Sequence, residues 1–192
     1  MKGNLTTKNI TYYLSGGGDD IYRVLAPLEN VVKGKVAYMV IATEVFSNNL
    51  LENILSHKNE FIDYLEKHNS ESVEYITKEN IEEIINCDTL IISGGNTKYL
   101  IKTLAQNNFY DVVQKSKLKI IAGISAGAIA LARVGVGESE SGLVEHHGFG
   151  LVDIDVVPHS DEERRKKYPQ YVQIAEYEWV RVRNGKIDHD IL

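Results

Sequence analysis

The chain lacks the features that mark secreted, membrane-spanning and nucleic-acid-binding proteins. Its 192 residues include one cysteine, Cys87, which excludes an internal disulfide framework and favours a reducing compartment. No apolar run approaches the roughly 20 residues of a membrane-spanning helix, and the N-terminus shows no signal-peptide pattern. Lysine and arginine total 21 against 27 acidic residues, so we expect no basic face for nucleic acid. These absences predict a cytoplasmic protein that binds neither a membrane nor nucleic acid.

The chain also has few residues or segments that would mark a boundary between domains. It contains three prolines and no low-complexity tract or repeat, so no linker divides it. Apolar residues make up 43% of the sequence and charged residues 25%, which is enough for an ordinary buried core. We therefore expect residues 1–192 to form a single domain.

Short apolar segments alternate with longer amphipathic ones through most of the chain. This alternation is typical of a parallel sheet with helices on both faces. The predicted strands are 10–14, 35–42, 72–76, 89–92, 118–122 and 151–157. The predicted helices are 49–69, 81–86, 99–106, 110–115 and 126–132. Residues 178–187 alternate and turn at Asn184-Gly185, a strong hairpin signal. We predict a three-layer α/β/α fold with a mostly parallel sheet and a C-terminal β-hairpin.

Ser125 stands between two glycines at the junction of a predicted strand and a predicted helix. The segment Gly123-Ile124-Ser125-Ala126-Gly127 has the G-x-S-x-G pattern of a nucleophile elbow, whose sharp turn lifts the serine oxygen out of the sheet. Unpaired N–H groups at the helix start would favour developing negative charge. The alternative is a serine that caps a structural or phosphate-binding turn.

A nucleophilic serine needs a base, and six histidines are available. His159 follows the predicted strand 151–157 and Pro158, so it lies at a strand end, where parallel sheets present functional groups. A histidine in a surface loop is the alternative. The tandem pair His146 and His147 is predicted to lie in a glycine-bounded loop with too few neighbouring ligands for a metal. We expect no metal and no cofactor.

An oxyanion hole requires two N–H donors near the serine. In an elbow the residue after the nucleophile, here Ala126, supplies one, and the glycine-bearing loop 93–97 at a neighbouring strand end is suitable for the second. The glycines at 16–18 and 94–95 would also suit a phosphate-binding site. Neither segment fits a dinucleotide-binding or Walker A pattern, which weakens that alternative.

Three segments in order resemble the peptidase E (α-aspartyl dipeptidase) family of serine peptidases, whose relatives include cyanophycinase. They are Ser93-Gly94-Gly95-Asn96-Thr97, which is similar to the family's GGGNT loop with serine first, then residues 123–128 and Val157-Pro158-His159. The resemblance spans nearly the whole chain. It implies a class I glutamine-amidotransferase-like, flavodoxin-like fold and hydrolysis of short peptides with N-terminal aspartate. A homodimer is left open.

The resemblance also implies roles for particular residues. Ser125 would be the nucleophile and His159 the base, and the N–H groups of Gly95 and Ala126 would form the oxyanion hole. Asn96 would lie near the substrate. Glu176, just before a tryptophan-containing strand, matches the family's orienting glutamate. Glu178 is the alternative, and Glu138 or Glu140 would take the place of an acidic residue that follows the elbow helix.

The segment after the histidine departs from the family. His159 and Glu176 are 17 residues apart (176 minus 159), roughly half the family's spacing. The family's arginine that reads the substrate aspartate is best matched by Arg164, then by Arg165. By composition the run 160–167 would be a solvated helix face. The sequence therefore leaves a non-catalytic binding protein on the same scaffold as the alternative function.

Overall fold

The computed structural model describes residues 9–43, 59, 62–67, 70–139 and 142–189. The strands in these ranges are β1 (Thr11–Ser15), β2 (Gly34–Met39), β3 (Ser70–Ile76), β4 (Thr89–Ile92), β5 (Ile120–Ile124), β6 (Val134–Ser139), β7 (Gly142–His147), β8 (Asp155–Val157), β9 (Val172–Gln173), β10 (Trp179–Arg183) and β11 (Lys186–His189). The α-helices are α1 (Ile21–Leu25), α2 (Thr97–Gln106), α3 (Phe109–Lys115), α4 (Ala126–Leu131) and α5 (Glu162–Lys167), and residues 62–67 are also helical. Short 3₁₀ helices cover Ala26–Asn30, Ile41–Thr43 and Ile81–Asn86.

The larger of two sheets has seven strands in the order β11-β10-β1-β5-β4-β2-β3. The pairs among β1, β5, β4, β2 and β3 are parallel, whereas β10 pairs antiparallel with both β1 and β11. The predicted C-terminal hairpin is therefore confirmed, and it extends the edge of the sheet at β1. The carboxyl ends of β1, β4 and β5 lie side by side, each next to one of the predicted glycine-bearing segments.

Helices cover both faces of the larger sheet. All four residues of β4 are buried, because its side chains point alternately to the two faces and each face meets a helical layer. Leu90 and Ile92 pack with α2 and α3, while Ile91 packs with α1 and with Leu65 of the 62–67 helix. Each such side chain contributes about 1.5–3 kcal/mol when fully buried. The three-layer α/β/α prediction is confirmed.

A second sheet of four strands, in the order β7-β6-β8-β9, was not expected from the sequence. His146 and His147 belong to β7, so their prediction as loop residues was wrong. The predicted strand 151–157 is shortened to Asp155–Val157 and joins this sheet instead of the larger one. Its strands are short and half-exposed, so they carry little of the apolar pattern that marks a buried strand.

Other boundaries shift by a few residues. The strand predicted over 35–42 ends at Met39 and is followed by a 3₁₀ turn, and the segment 81–86 is a 3₁₀ helix. Most of the predicted helix 49–69 lies outside the described residues. Within the described part of the chain, no helix combines the length and the apolarity required to cross a bilayer.

Candidate active site

Ser125 directly follows β5 and precedes α4, as expected for a nucleophile elbow. Its backbone has φ 50° and ψ −106°, a conformation that favours glycine and is strained for any other residue. The Ser125 N–H donates to the Ser15 carbonyl oxygen at 3.0 Å, and its own carbonyl accepts the first helical bond from Ile129 N–H at 3.1 Å. These bonds fix the strained turn between two regular elements.

The glycines around Ser125 are required by packing. A Cβ atom on Gly123 would lie 2.6 Å from the carbonyl carbon of Gly127, and a Cβ on Gly127 would lie 2.4 Å from the Ile92 carbonyl oxygen. Real Cβ atoms do not approach backbone so closely. The G-x-S-x-G spacing therefore lets α4 leave the sheet directly over β4 and β5.

His159 connects the second sheet with Ser125. It lies just beyond β8, and its Nε2 is 2.8 Å from Ser125 Oγ, a normal hydrogen-bond distance. The His159 N–H donates to the Gly16 carbonyl oxygen at 3.2 Å, which attaches this loop to the end of β1. A Cβ on Gly17 would lie 2.9 Å from His159 Cε1, so the glycine leaves room for the imidazole. His159 itself has φ 51°, a second strained residue beside the serine.

Glu176 is the carboxylate beside the other imidazole nitrogen. Its Oε1 lies 3.4 Å from His159 Nδ1, slightly longer than an ideal hydrogen bond, and its side chain is 55% exposed. Catalytic hydrogen bonds are often long before substrate binds. The hydroxyl of Ser125 thus contacts the imidazole of His159, and the imidazole lies next to the carboxylate of Glu176. This is the arrangement of side chains in a Ser-His-acid triad.

A strained turn places Glu176. The following residue, Tyr177, has φ 64°, and its N–H donates to the Gly17 carbonyl oxygen at 2.7 Å. Its ring packs on Gly18, and its hydroxyl donates to the Asp19 carboxylate. This hydrogen bond lowers the pKa of Asp19 and raises the pKa of Tyr177. The loop after β1 and the turn before β10 are thus joined beside the site.

The other acidic candidates lie elsewhere. Glu178 accepts from Ala175 N–H at 2.9 Å, so it braces the turn and does not contact the imidazole. Glu138 pairs with Arg164. Glu140 lies outside the described residues.

The two predicted oxyanion donors belong to the segments that follow β4 and β5. Ala126 is the first residue of α4 and is buried. Gly95 follows β4 with φ 135°, and a Cβ there would lie 2.5 Å from the Ala42 carbonyl oxygen, so the loop conformation requires glycine. Both are neighbours of Ser125 at the edge of the sheet, and Gly95 lines the cavity described next.

A cavity of about 880 Å³ opens beside Ser125 and His159, and charged side chains of both signs contribute to its lining. The Arg164 side chain is 15% exposed and donates to the His159 carbonyl oxygen at 2.8 Å, to Asp161 at 2.9 Å and to Glu138. The Arg164 N–H, first among several causes, lowers the pKa of the Asp161 carboxyl. Arg164 therefore faces the cavity, whereas Arg165 is exposed and bonds to Ser160.

Two features of this site were not predicted from the sequence. Arg23 also lines the cavity, with its guanidinium 4.0 Å above the Tyr177 ring. No carboxylate among the described residues lies within ion-pair distance of it. Thr97 lines the cavity in place of its neighbour Asn96, whose side-chain oxygen caps α2 by accepting from Tyr99 N–H at 2.9 Å. No motif around Arg23 indicates a functional role, because the segment that forms α1 resembles an ordinary surface helix.

No group of three or more metal-ligating side chains occurs among the residues that the structure describes. The chemistry that this geometry can perform is proton transfer and nucleophilic attack by Ser125 and His159, with charged groups lining the adjacent cavity.

The fold is shared with two solved structures. A protein of Listeria monocytogenes EGD-e, provisionally described as a peptidase E protein, superposes with a TM-score of 0.71 at 18% identity, over 95% of this chain and 98% of that one. A peptidase from an acI-B1 actinobacterium gives a TM-score of 0.62 at 20% identity, over 94% and 88% of the two chains. A comparison with curated proteins finds no significant match.

The sequence itself settles the family. The model of peptidase family S51 matches residues 36–187, most of the chain, so the protein belongs to that family. The expected relationship to peptidase E is confirmed, and a peptidase is the class of protein to which fold and family both point.

Proposed function

We propose that the protein is a serine peptidase that cleaves short peptides through Ser125, His159 and Glu176. The observation that carries this proposal is the 2.8 Å contact between Ser125 Oγ and His159 Nε2 at a strained strand-to-helix turn. A serine that merely caps a helix does not need a histidine, and the Ser125 side chain makes no capping hydrogen bond to α4. Membership of a peptidase family supports the same chemistry.

In the proposed mechanism, Ser125 Oγ attacks the scissile carbonyl carbon while His159 Nε2 accepts its proton. The carbonyl oxygen becomes an oxyanion between the N–H groups of Gly95 and Ala126. His159 then donates the proton to the leaving amine, and the acyl-enzyme is hydrolysed by water through the same steps. Glu176 keeps the imidazole in the required tautomer and stabilises its protonated form. No metal or organic cofactor enters these steps.

We infer that substrates are small and acidic at the N-terminus, with the dipeptides that begin in aspartate as the first choice. The cavity beside Ser125 holds the Arg164 and Arg23 guanidinium groups, and arginine pairs both oxygens of a carboxylate. Arg164 is the proposed reader of the substrate side chain. It already contacts Glu138 and Asp161, whereas Arg23 makes no direct ion pair with a carboxylate in the described part of the chain and provides a second cation.

The test is a dipeptide library digested side by side by the wild-type protein and by Ser125→Ala. We expect cleavage by wild type, strongest for peptides with N-terminal aspartate, and none by the variant. Covalent labelling of wild type by an active-site serine probe should be lost in the same variant. A wild-type protein that neither cleaves nor reacts would favour the alternative of a non-catalytic binding protein on this scaffold.

A further inference from the structure

A second, smaller cavity of about 300 Å³ lies on the other side of the Ser125–His159 pair. Gly95, Ser125 and His159 line both cavities, so the two spaces meet at the proposed nucleophile and oxyanion donor. A bound chain that passed from one cavity to the other would have to cross Ser125.

The two cavities differ in chemistry. The larger one is lined by Arg23, Arg164 and several carboxylates. The smaller one is lined mainly by glycine backbone and by the apolar surfaces of Ile21, Tyr38 and Ile124. Among the described residues, His159 is the only acidic or basic side chain that contributes to it. The smaller cavity therefore suits an uncharged, largely apolar side chain.

One polar atom in the smaller cavity lacks a partner. Ser93 is 6% exposed, and its hydroxyl oxygen is buried without a hydrogen bond to any described residue. Two other hydroxyls of the lining have partners: Thr43 donates to the Val40 carbonyl oxygen at 2.7 Å, and Ser125 Oγ lies 2.8 Å from His159 Nε2. Leaving a buried hydroxyl unpaired is unfavourable, so a ligand that offers a polar atom there gains a hydrogen bond. Ser93 is also the position at which this chain carries serine where the family loop begins with glycine.

Building on the proposed peptidase function, we propose that the smaller cavity is the subsite for the residue on the carboxyl side of the scissile bond. It takes an aliphatic side chain, and the Ser93 hydroxyl donates a hydrogen bond to the carboxyl group of that residue, which in a dipeptide is the terminal carboxylate. The larger cavity holds the acidic N-terminal residue. Because the scissile carbonyl must lie at Ser125, the next residue then enters the smaller cavity.

The side-chain preference is tested with the dipeptides Asp-Gly, Asp-Ala and Asp-Leu. In wild type, kcat/KM should rise from glycine to leucine by roughly tenfold or more, as burial of an aliphatic side chain predicts. Ile21→Trp narrows the cavity and should lower kcat/KM for Asp-Leu much more than for Asp-Gly, which brings the ratio of the two values close to one. The neighbouring substitution Tyr22→Trp, outside the cavity lining, is the matched control and should leave the ratio unchanged.

Ser93→Ala tests the hydroxyl. The variant should lose about tenfold in kcat/KM on all three dipeptides, because the lost bond is to the terminal carboxylate that all three share. The free energy of unfolding of the unliganded variant should equal or exceed that of the wild-type protein, because an unpaired buried hydroxyl has been removed. A simple structural role for Ser93 would instead lower stability and activity together, and that result would overturn its assignment.

Failure of this inference is separable from failure of the peptidase proposal. A wild type that cleaves Asp-Gly and Asp-Leu equally well, or an Ile21→Trp protein in which both kcat/KM values fall by the same factor, refutes the subsite but leaves the peptidase. If no dipeptide is cleaved, the peptidase proposal fails, and the subsite is judged by NMR titration of N-acetyl-leucinamide into wild type and Ile21→Trp. Binding by wild type that Ile21→Trp weakens supports the subsite, and no binding by wild type overturns it.

Discussion

The two sheets of this protein make different contributions to one site. The seven-stranded sheet is covered by helices and supplies Ser125 and the proposed oxyanion donors from strand ends whose backbone is buried. The four-stranded sheet is short and half-exposed, and it supplies His159 and, just after it, the helix α5 that carries Arg164. A hydrogen bond from His159 N–H to the Gly16 carbonyl oxygen, 3.2 Å long, joins them at the site.

This difference suggests a division between chemistry and specificity. The strained turn at Ser125 needs a rigid frame, which the larger sheet provides through close packing of glycine against backbone. The smaller sheet and α5 carry charged side chains on an exposed surface, where substitutions change the cavity wall at little cost to the core. Segments of this kind commonly set substrate choice on a fixed scaffold.

The largest effect is expected from breaking the contact between the two sheets at the site. Ser125→Ala and His159→Ala should each lower kcat by a factor on the order of 10⁶, and the double variant should be no worse, because a triad acts as a unit. Single-turnover kinetics on Asp-Leu measure all three. A His159→Ala protein within tenfold of wild type would remove this histidine from the mechanism.

Glu176 and Glu178 form a matched pair on the same turn. Glu176→Gln should lower kcat by at most about 10⁴-fold, the loss seen when the orienting acid of a triad is neutralised. The exposed position of Glu176 and its 3.4 Å contact favour a smaller loss. Glu178→Gln should be near neutral, since an amide oxygen can still accept from Ala175 N–H. The reverse ranking would show that the orienting acid has been misassigned.

Arg164 and Arg23 lie on different walls of the larger cavity, so their substitution tests which wall recognises the substrate. Arg164→Met, on the side of the smaller sheet, should cost roughly 2–4 kcal/mol of preference for Asp-Leu over Ala-Leu, because a substrate carboxylate is left unpaired. Arg23→Met, on the side of the larger sheet, should cost about 1 kcal/mol, since its guanidinium is exposed. The measurement is the ratio of kcat/KM values. A wild-type ratio near one refutes specificity for an acidic residue. If only Arg23→Met lowers the ratio, the substrate carboxylate is recognised on the wall of the larger sheet.

The smallest effect concerns the stability of the smaller sheet. Burial, with a further contribution from Lys98, lowers the pKa of His146 on β7 below its unfolded value of about 6.5. The unfolded chain therefore binds the proton more readily, and the free energy of unfolding contributed by His146 falls as the pH drops below about 6.5. Urea midpoints between pH 7.5 and 5 should fall less steeply in His146→Phe than in wild type. Identical slopes would refute this account.

The larger sheet was predictable because its signals are local. Runs such as 90–92 are apolar throughout, which marks a strand covered on both faces, and Asn184-Gly185 specifies a hairpin turn by its own conformational preference. The G-x-S-x-G spacing likewise predicted the position of Ser125, because only small residues permit that turn. These features depend on each residue and its near neighbours in the chain.

The smaller sheet and the walls of the cavities depended on contacts distant in sequence. β7 is polar along much of its length, so His146 and His147 gave no strand pattern, and their pairing with β6 becomes visible only in space. The approach of Glu176 to His159 and of Arg23 to Tyr177 is produced by a turn anchored to Gly17, about 160 residues earlier in the chain. The sequence by itself determined the elbow, the strands and the helices that bury them. Tertiary structure decided which charged groups meet at the serine, because their positions follow from packing between elements and not from local preference.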